Sequence, residues 1–295
     1  MNTTNMHIPS NRVRDIERYY LSELRTLYPE GELRTFVYML FEAFLGWDKT
    51  QFLLHRDDTI NQSDLLRFHW AAEDLKRHRP IQHIVGYTHF CSLRIDVSPD
   101  ALIPRPETEE IVQSLILSLH PAPAAVLDLC TGSGCIAIAL KHHFPTAEVT
   151  AVDISPAALA LAQHNARQNN TEITFRQTDL LDPAQLAALP CPYDLIVSNP
   201  PYVMERERAD MQPNVLDYDP AQALFVPDSD PLLFYRAIGQ YAVRSLAPGG
   251  QLVVEINQAL AAETSQLLGT LGFDTRIHDD FRGNPRSITA TLPSR

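Results

Sequence analysis

The sequence predicts an α/β protein with a doubly wound, mostly parallel sheet of seven strands and a preceding helical bundle. Two observations predict it. From Pro123 onward, segments typical of strands alternate with segments typical of helices, and helices of this length imply right-handed crossovers between parallel strands. Up to about Arg79, by contrast, apolar residues recur only at the three- and four-residue spacing of amphipathic helices.

The N-terminal region contains three segments with this helical periodicity: "RVRDIERYYLSELRTLY", "ELRTFVYMLFEAFLGW" and "SDLLRFHWAAEDLKRH". The second ends near Gly46, and Ser63 has the side chain of an N-cap for the third. Three or four such helices form a small bundle, which we assign to residues 1–80. The periodicity does not decide whether this bundle docks a partner or is structural.

Residues 81–106 have a different composition. The stretch "IQHIVGYTHFCSLRIDVSPDALIPRPET" is rich in β-branched and aromatic residues, turn formers and prolines. Such a composition predicts a short hairpin and a connector between two domains. The second domain is then assigned to residues 107–295.

The second domain contains seven segments typical of strands: "AAVLDL", "EVTAVDI", "EITFRQT", "YDLIVS", "GGQLVVEI", "FDTRIH" and "SITATL". Helical segments such as "CIAIALKHHF" and "SPAALALAQHNARQN" lie between the earlier strands. No helical segment separates the last two strands, so we expect them to form an antiparallel pair at an edge of the sheet.

Composition excludes several classes of function. The chain has 295 residues and a net charge of -12, which argues against a generic nucleic-acid binder, since such proteins neutralise phosphates with Lys and Arg. It has no signal-peptide pattern and no run of eighteen apolar residues, so we expect a cytoplasmic protein without membrane contact. The four cysteines form no CxxC pair, which predicts reduced thiols and no metal site.

A glycine turn joins the first strand of the sheet to its helix in "VLDLCTGSGCIAIAL". Gly132 and Gly134 let a ligand approach the backbone, and Asp153 ends the next strand 19 residues after Gly134, a distance that suits hydrogen bonds to ribose hydroxyls. The spacing fits a dinucleotide or S-adenosylmethionine. Asp128 precedes the turn and favours a ligand with an ammonium group, because a carboxylate there repels phosphate.

Asp179, in "RQTDLLD", ends the third strand. Its carboxylate suits the exocyclic amine of adenine, with Leu180 beside the ring. The alternative is that Asp179 caps a short helix. We hold both interpretations open.

The stretch "SNPPY" ends the fourth strand. Pro200 and Pro201 have no N–H, but their carbonyls remain acceptors, and Asn199 adds another carbonyl oxygen. This cluster of acceptors suits an NH₂ group on a planar system. Two acceptors that hold its hydrogens favour a pyramidal nitrogen with its lone pair directed at an electrophile, an interaction that strengthens in the transition state. Tyr202 is expected to form a wall of the same slot.

These motifs resemble the N-methyltransferases with an N-P-P-Y motif and, over nearly the whole chain, the bacterial peptide chain release factor N5-glutamine methyltransferase family (PrmC/HemK). The resemblance rests on "RPIQHIVGYTHF", "LIPRPETEEIV", "VLDLCTGSGCIAIAL", "AVDIS", "DLIVSNPPYV" and "LAPGGQLVVEI", of which "IPRPETEE" is the most discriminating. It implies the fold of S-adenosylmethionine-dependent methyltransferases, with S-adenosylmethionine as cofactor. It also implies, as substrate, the glutamine of the Gly-Gly-Gln motif of class-I release factors, which the N-terminal bundle helps to dock.

The resemblance also implies roles for individual residues. It assigns the substrate glutamine and catalysis to Asn199, Pro200, Pro201 and Tyr202. Arg105, Pro106 and Glu107 match a stretch that lines the entrance near the cofactor, with Arg105 as a further substrate contact or a surface salt bridge. The cofactor residues of our prediction are Asp128, Cys130, Thr131, Gly132, Ser133, Gly134, Asp153, Ile154, Asp179, Leu180 and Asn199.

Two departures from the family's pattern stand out. Cys130 occupies a position where the family usually has glycine, and cysteine disfavours positive φ. Leu180 occupies a position that is often aromatic. A sister family that methylates glutamine on a large-subunit ribosomal protein is the alternative, although it carries a different pair where this chain has Pro106 and Glu107. A nucleic-acid amino-methyltransferase is a weaker alternative, because the chain lacks a basic recognition insert.

Overall fold

The computed structural model describes residues 8–293. The chain divides into two compact units, Met1–Gly86 and Tyr87–Arg295. The segment predicted as a connector is therefore shared between them: its first residues belong to the first unit and the remainder to the second.

The described part of the first unit is helical. Its five helices are α1 (Val13–Glu23), α2 (Glu30–Leu45), α3 (Lys49–Leu54), α4 (Gln62–Lys76) and α5 (Ile81–Val85). Their apolar faces meet in one core, in which the Phe41 ring lies 4.9 Å from the Phe52 ring and 4.5 Å from the Phe68 ring, measured between centroids. The predicted helical bundle is confirmed, although it has five helices in the described residues and not three or four, because α3 and α5 are too short to show a helical periodicity in the sequence.

The start of α4 differs from the prediction. The side chain of Asn61 caps the helix by accepting a hydrogen bond from the backbone N–H of Asp64. Ser63 already lies inside the first turn, so its prediction as the N-cap is wrong. Both residue types have an oxygen that suits the cap position, and the pattern of apolar residues places a helix end only to within a few residues.

The second unit contains all of the described strands. They are β1 (Tyr87–Phe90), β2 (Leu93–Asp96), β3 (Ala125–Leu129), β4 (Glu148–Asp153), β5 (Thr174–Gln177), β6 (Tyr193–Ser198), β7 (Val203–Met204), β8 (Phe225–Val226), β9 (Leu246–Glu255), β10 (Asp274–Asp279) and β11 (Pro285–Thr291). Its α-helices are α6 (Pro106–Ser118), α7 (Cys135–His143), α8 (Pro156–Gln168), α9 (Pro183–Ala187), α10 (Pro213–Leu216), α11 (Ala221–Leu224), α12 (Leu233–Ser245) and α13 (Ala261–Thr270). Strands β1 and β2 form the predicted hairpin.

Seven strands form the central sheet in the order β10-β11-β9-β6-β3-β4-β5. The pairs from β9 to β5 are parallel. Strand β11 is antiparallel to both of its neighbours, β9 and β10. The seven-stranded, mostly parallel sheet and its antiparallel edge pair are therefore confirmed.

Helices cover both faces of this sheet. Successive residues of a strand point to opposite faces, and in β3 Val126 packs in one apolar cluster while Leu127 packs in another. The cluster around Val126 includes residues of α6 and α7, whereas the cluster around Leu127 includes residues of α12 and α13. This doubly wound arrangement leaves the carboxyl ends of the parallel strands as the edge where a ligand can enter.

Candidate active site

A cavity of about 450 Å³ opens at the carboxyl ends of β3, β4, β5 and β6. The loops after these strands form its walls, together with residues 99–105 and the chain near Pro220. Most of the predicted site residues line it: Arg105, Cys130, Thr131, Gly132, Ser133, Asp153, Ile154, Asp179, Leu180, Asn199 and Pro201. Among the described residues, four predicted ones lie outside this lining: Asp128, Gly134, Pro200 and Tyr202.

The turn after β3 has positive φ at three residues: 61° at Cys130, 54° at Gly132 and 83° at Gly134. Cys130 therefore adopts the left-handed conformation that a residue with a Cβ disfavours, which stores strain at the cavity wall. A Cβ on Gly134 would lie 3.0 Å from the Cβ of Ala162 in α8. Gly134 thus allows α7 and α8 to pack closely, whereas Gly132 lies in the wall itself.

Asp153, the last residue of β4, fixes the geometry of this turn. One carboxylate oxygen accepts a hydrogen bond from the backbone N–H of Gly132 at 2.9 Å, and the other accepts from the N–H of Ser155 at 2.9 Å. Burial raises the pKa of Asp153, and these hydrogen bonds oppose the rise. Each oxygen has a second lone pair, so the carboxylate can still accept hydrogen bonds from a ligand in the cavity.

Asp128 lies behind the turn. It is fully buried, and its carboxylate accepts a hydrogen bond from the Thr131 hydroxyl at 2.6 Å. Burial raises the pKa of Asp128 to about 7. Thr131 lines the cavity, so Asp128 holds this part of the wall from beneath.

The loop after β5 brings Asp179 and Leu180 into the cavity wall. Asp179 accepts a hydrogen bond from the N–H of Leu181 at 2.8 Å. The N-cap of α9 is Asp182, which accepts from the N–H groups of Ala184 and Gln185. The alternative that Asp179 caps this helix is therefore wrong, and its carboxylate remains available at the cavity.

Asn199 and Pro201 line the cavity at the end of β6. In the sheet, β3 lies between β6 and β4, so these two residues and the loop after β4 follow strands on opposite sides of β3. The Nδ2 of Asn199 donates to the hydroxyl oxygen of Thr108 at 3.2 Å. Its Oδ1 accepts no hydrogen bond from the described residues. The side-chain carbonyl oxygen of Asn199 can thus accept a hydrogen bond from a ligand.

Tyr202 lies beside this corner, next to Glu255 at the end of β9. The Tyr202 hydroxyl donates to Glu255 at 3.0 Å, and Thr108 donates to the other oxygen of the same carboxylate at 2.6 Å. Burial and the nearby Glu255 carboxylate raise the pKa of Tyr202 well above its usual value. The role of Tyr202 as a wall of the substrate slot stays a prediction.

Arg105 joins two walls of the cavity. Its guanidinium donates to the buried carboxylate of Asp219, which also accepts from the backbone N–H of Ile103 at 3.3 Å. Arg105 thus forms an ion pair with a buried partner and at the same time lines the cavity. This contact connects the chain before α6 to the chain before α11.

Two residues at this site were not assigned a role from the sequence: Thr108 and Glu255. Thr108 lies within the motif "IPRPETEE", which signalled that the segment matters without indicating what its threonine contacts. Glu255 ends a strand of apolar residues. In the sequence, the available signal was an acid directly after the apolar run "LVV", at the carboxyl end of a predicted strand.

Within residues 8–293, no cluster of three or more His, Cys, Asp or Glu side chains has the arrangement of a metal site. The helices of the same range include none with the length and apolar character to cross a bilayer.

Two family models match the chain. The model described as "PrmC N-terminal domain" matches residues 18–86, and the model described as "Methyltransferase small domain" matches residues 106–217. The first match falls within the helical unit and the second spans the glycine turn and the Asn199 corner.

Curated proteins resemble the chain over nearly its full length. A protein of Flavobacterium psychrophilum named release factor glutamine methyltransferase is 41% identical over 281 residues, which is 94% of this chain and 98% of that protein. A protein of the same name from Bacteroides thetaiotaomicron is 39% identical over a region that spans 93% of this chain and 98% of that protein. The crystal structure of a methyltransferase from Pyrococcus furiosus superposes with a TM-score of 0.50 at 19% identity, over 67% of this chain and 88% of that one, which supports the fold.

Proposed function

Because the chain belongs to the family of release factor glutamine methyltransferases, we propose that it methylates the glutamine of the Gly-Gly-Gln motif in class-I peptide chain release factors. The protein is a methyltransferase that uses S-adenosylmethionine. The product is glutamine methylated on its side-chain amide nitrogen, N5. The observation that carries this proposal is the position of Asn199 and Pro201 in the same cavity as the glycine turn and Asp153.

The residues of the cavity fit the cofactor. Its volume, about 450 Å³, lies within the range of about 300–1,000 Å³ that small-molecule sites have. At Gly132 an added Cβ would meet only Ala101, at 3.9 Å, so the backbone there is open to a ligand. Asp153 has acceptor capacity for ribose hydroxyls, and Asp179 for the amine of adenine.

We assign three parts of the cofactor site to these residues. Asp153, with Ile154, would hold the ribose, and Asp179, with Leu180, the adenine. The turn from Cys130 to Gly134, held by Asp128, would receive the amino-acid end. When bound, S-adenosylmethionine supplies an electrophilic methyl group on a sulfonium.

The residues at the end of β6 act on the substrate amide. An amide nitrogen is a poor nucleophile because its lone pair is delocalised. The carbonyl oxygens of Asn199 and of the Pro200–Pro201 corner accept the two N–H groups and favour a pyramidal nitrogen. Since this interaction strengthens as the new bond forms, it lowers the barrier. Proline fixes φ, so the corner is organised before the substrate arrives.

The charge of the chain supports a protein partner rather than a nucleic acid. The net charge is -12, whereas proteins that bind nucleic acids gain affinity by neutralising phosphates with Lys and Arg. From a release factor as substrate we infer a cytoplasmic location, because translation terminates in the cytoplasm.

Mass spectrometry tests the proposal directly. We expect class-I release factor, incubated with the enzyme and isotopically labelled S-adenosylmethionine, to gain one methyl group on the Gly-Gly-Gln glutamine. Ribosomes incubated in parallel should remain unlabelled. Label on a large-subunit ribosomal protein, with none on the factor, would assign the chain to the alternative substrate.

The bundle is proposed to dock the release factor, since the match to the PrmC N-terminal domain covers residues 18–86. Trp70 in α4 is 58% exposed, and exposed tryptophans are enriched among residues that carry binding energy at protein interfaces. We expect Trp70→Ala to raise KM for whole release factor about tenfold, with kcat unchanged. Steady-state kinetics with whole factor and with a short Gly-Gly-Gln peptide measure this.

The peptide reaction should be unaffected by Trp70→Ala, because a short peptide lacks the rest of the factor, which the bundle is proposed to bind. Leu117→Ala is a matched control, since Leu117 is 77% exposed on α6 in the second unit and should leave both reactions unchanged. An unaltered KM for whole factor in Trp70→Ala would exclude this residue from docking.

A further inference from the structure

A hydrogen-bonded network of buried side chains adjoins the Asn199 corner, and one of its members, Thr108, also lines the cavity. Glu255, at the end of β9, accepts from Thr108 through one carboxylate oxygen and from Tyr202 through the other. Thr108 in α6 and Glu255 are both buried. The network therefore connects three elements that are distant in sequence and ends at Asn199, which lines the cavity.

The direction of each hydrogen bond follows from the number of donors. A threonine hydroxyl has one proton and accepts through its lone pairs, and the Thr108 proton is directed at Glu255 at 2.6 Å. The Thr108 oxygen can then only accept from Asn199. Asn199 must therefore present its NH₂ group to Thr108 and turn its carbonyl oxygen elsewhere.

An amide side chain without such a partner can rotate by half a turn, because its two ends have nearly the same shape. In the rotated orientation Asn199 would present N–H donors to the substrate nitrogen, whose own hydrogens are donors. Two donors that face each other cannot form the proposed hydrogen bond between the substrate N–H and Asn199. The orientation of the Asn199 amide thus decides whether the corner can bind the NH₂ group of the substrate glutamine.

We propose that Thr108 and Glu255 are positioning residues for methyl transfer, which hold the carbonyl oxygen of Asn199 toward the substrate nitrogen. This inference rests on the proposed function, since it concerns the same corner. Glu255 orients the Thr108 hydroxyl, and Thr108 orients the Asn199 amide. Tyr202 contributes by occupying the second oxygen of Glu255.

Thr108→Val tests the inference, because valine keeps the shape of threonine and removes the hydroxyl. We expect kcat to fall about tenfold, which corresponds to about 1.4 kcal/mol of transition-state stabilisation. The Kd for S-adenosylmethionine should stay within about twofold of the original. Thr108→Ser, which retains a hydroxyl, should restore most of kcat.

Thr264→Val is the matched control. Thr264 in α13 is buried, and its hydroxyl has no hydrogen-bond partner among the described residues. The same substitution there removes a buried hydroxyl outside the network. We expect kcat to remain unchanged in this variant, which separates the effect of the network from the general effect of a buried substitution.

A double-mutant cycle with Asn199→Ala distinguishes positioning from a structural role. If Thr108 acts through Asn199, Thr108→Val should lower kcat in the original protein and have no further effect in the Asn199→Ala variant. Equal losses in both backgrounds would overturn the inference. So would an unchanged kcat for Thr108→Val in the original protein.

A second readout needs neither cofactor nor substrate. In protein labelled with ¹⁵N-asparagine, the Asn199 side-chain signal is identified by its loss in Asn199→Ala, and its NH₂ protons should exchange slowly with water. Thr108→Val should speed this exchange at least about tenfold, and Thr108→Ser should not. Unchanged exchange in Thr108→Val would contradict the network, whereas methylation absent from the original enzyme would contradict only the proposed function.

Discussion

We expect Asn199→Ala to lower kcat for release factor methylation by at least about a hundredfold, because the variant loses the acceptor that orients the substrate nitrogen. The affinity for S-adenosylmethionine should stay nearly unchanged, because the cavity retains the glycine turn, Asp153 and Asp179. Single-turnover kinetics with saturating factor measure the first effect, and calorimetry measures the second.

Asn170→Gly provides the control for this variant. Asn170 is exposed and has a φ of 53°, a conformation that glycine adopts without strain. The control removes an exposed amide outside the cavity and should leave kcat unchanged. A near-normal kcat in Asn199→Ala would remove the proposed mechanism.

Asp153→Ala is expected to weaken cofactor binding by at least about tenfold, because a charged hydrogen bond contributes about 1.5–3 kcal/mol. The variant would also release the N–H groups of Gly132 and Ser155, which the carboxylate now holds at 2.9 Å each. The turn should therefore loosen as the ribose contact is lost. Calorimetric titration with S-adenosylmethionine measures the change in Kd.

Asp274→Ala is the matched control, since Asp274 is exposed on the edge strand β10. It removes one carboxylate without touching the cavity and should bind the cofactor normally. The ribose assignment fails if the affinity of Asp153→Ala matches that of this control.

Local patterns in the sequence predicted the sheet and the position of the site. The glycine turn, Asp153 and the "SNPPY" corner each follow a strand, and the carboxyl ends of parallel strands meet at one edge. The predicted parallel sheet was therefore enough to expect Asp153 and Asn199 at the same edge, and both residues line one cavity. The edge pair was predictable because no helical segment separates the last two strands.

The network behind the corner could not be predicted, because its partners are far apart along the chain. Thr108 and Glu255 are separated by 147 residues, and Arg105 and Asp219 by 114. Neither pair has a local pattern that reveals the contact.

The position of the N-cap at Asn61 rather than Ser63 was missed for a different reason. Both side chains suit the role, and only the hydrogen bond from the backbone N–H of Asp64 to Asn61 distinguishes them.

A crystal structure of the enzyme with a Gly-Gly-Gln peptide and the demethylated cofactor, S-adenosylhomocysteine, tests the central claim most directly. We predict that the glutamine side chain enters beside the end of β6, with its NH₂ group within hydrogen-bonding distance of the Asn199 carbonyl oxygen and of a carbonyl at the Pro200–Pro201 corner. An amide nitrogen bound out of reach of these oxygens would contradict the account.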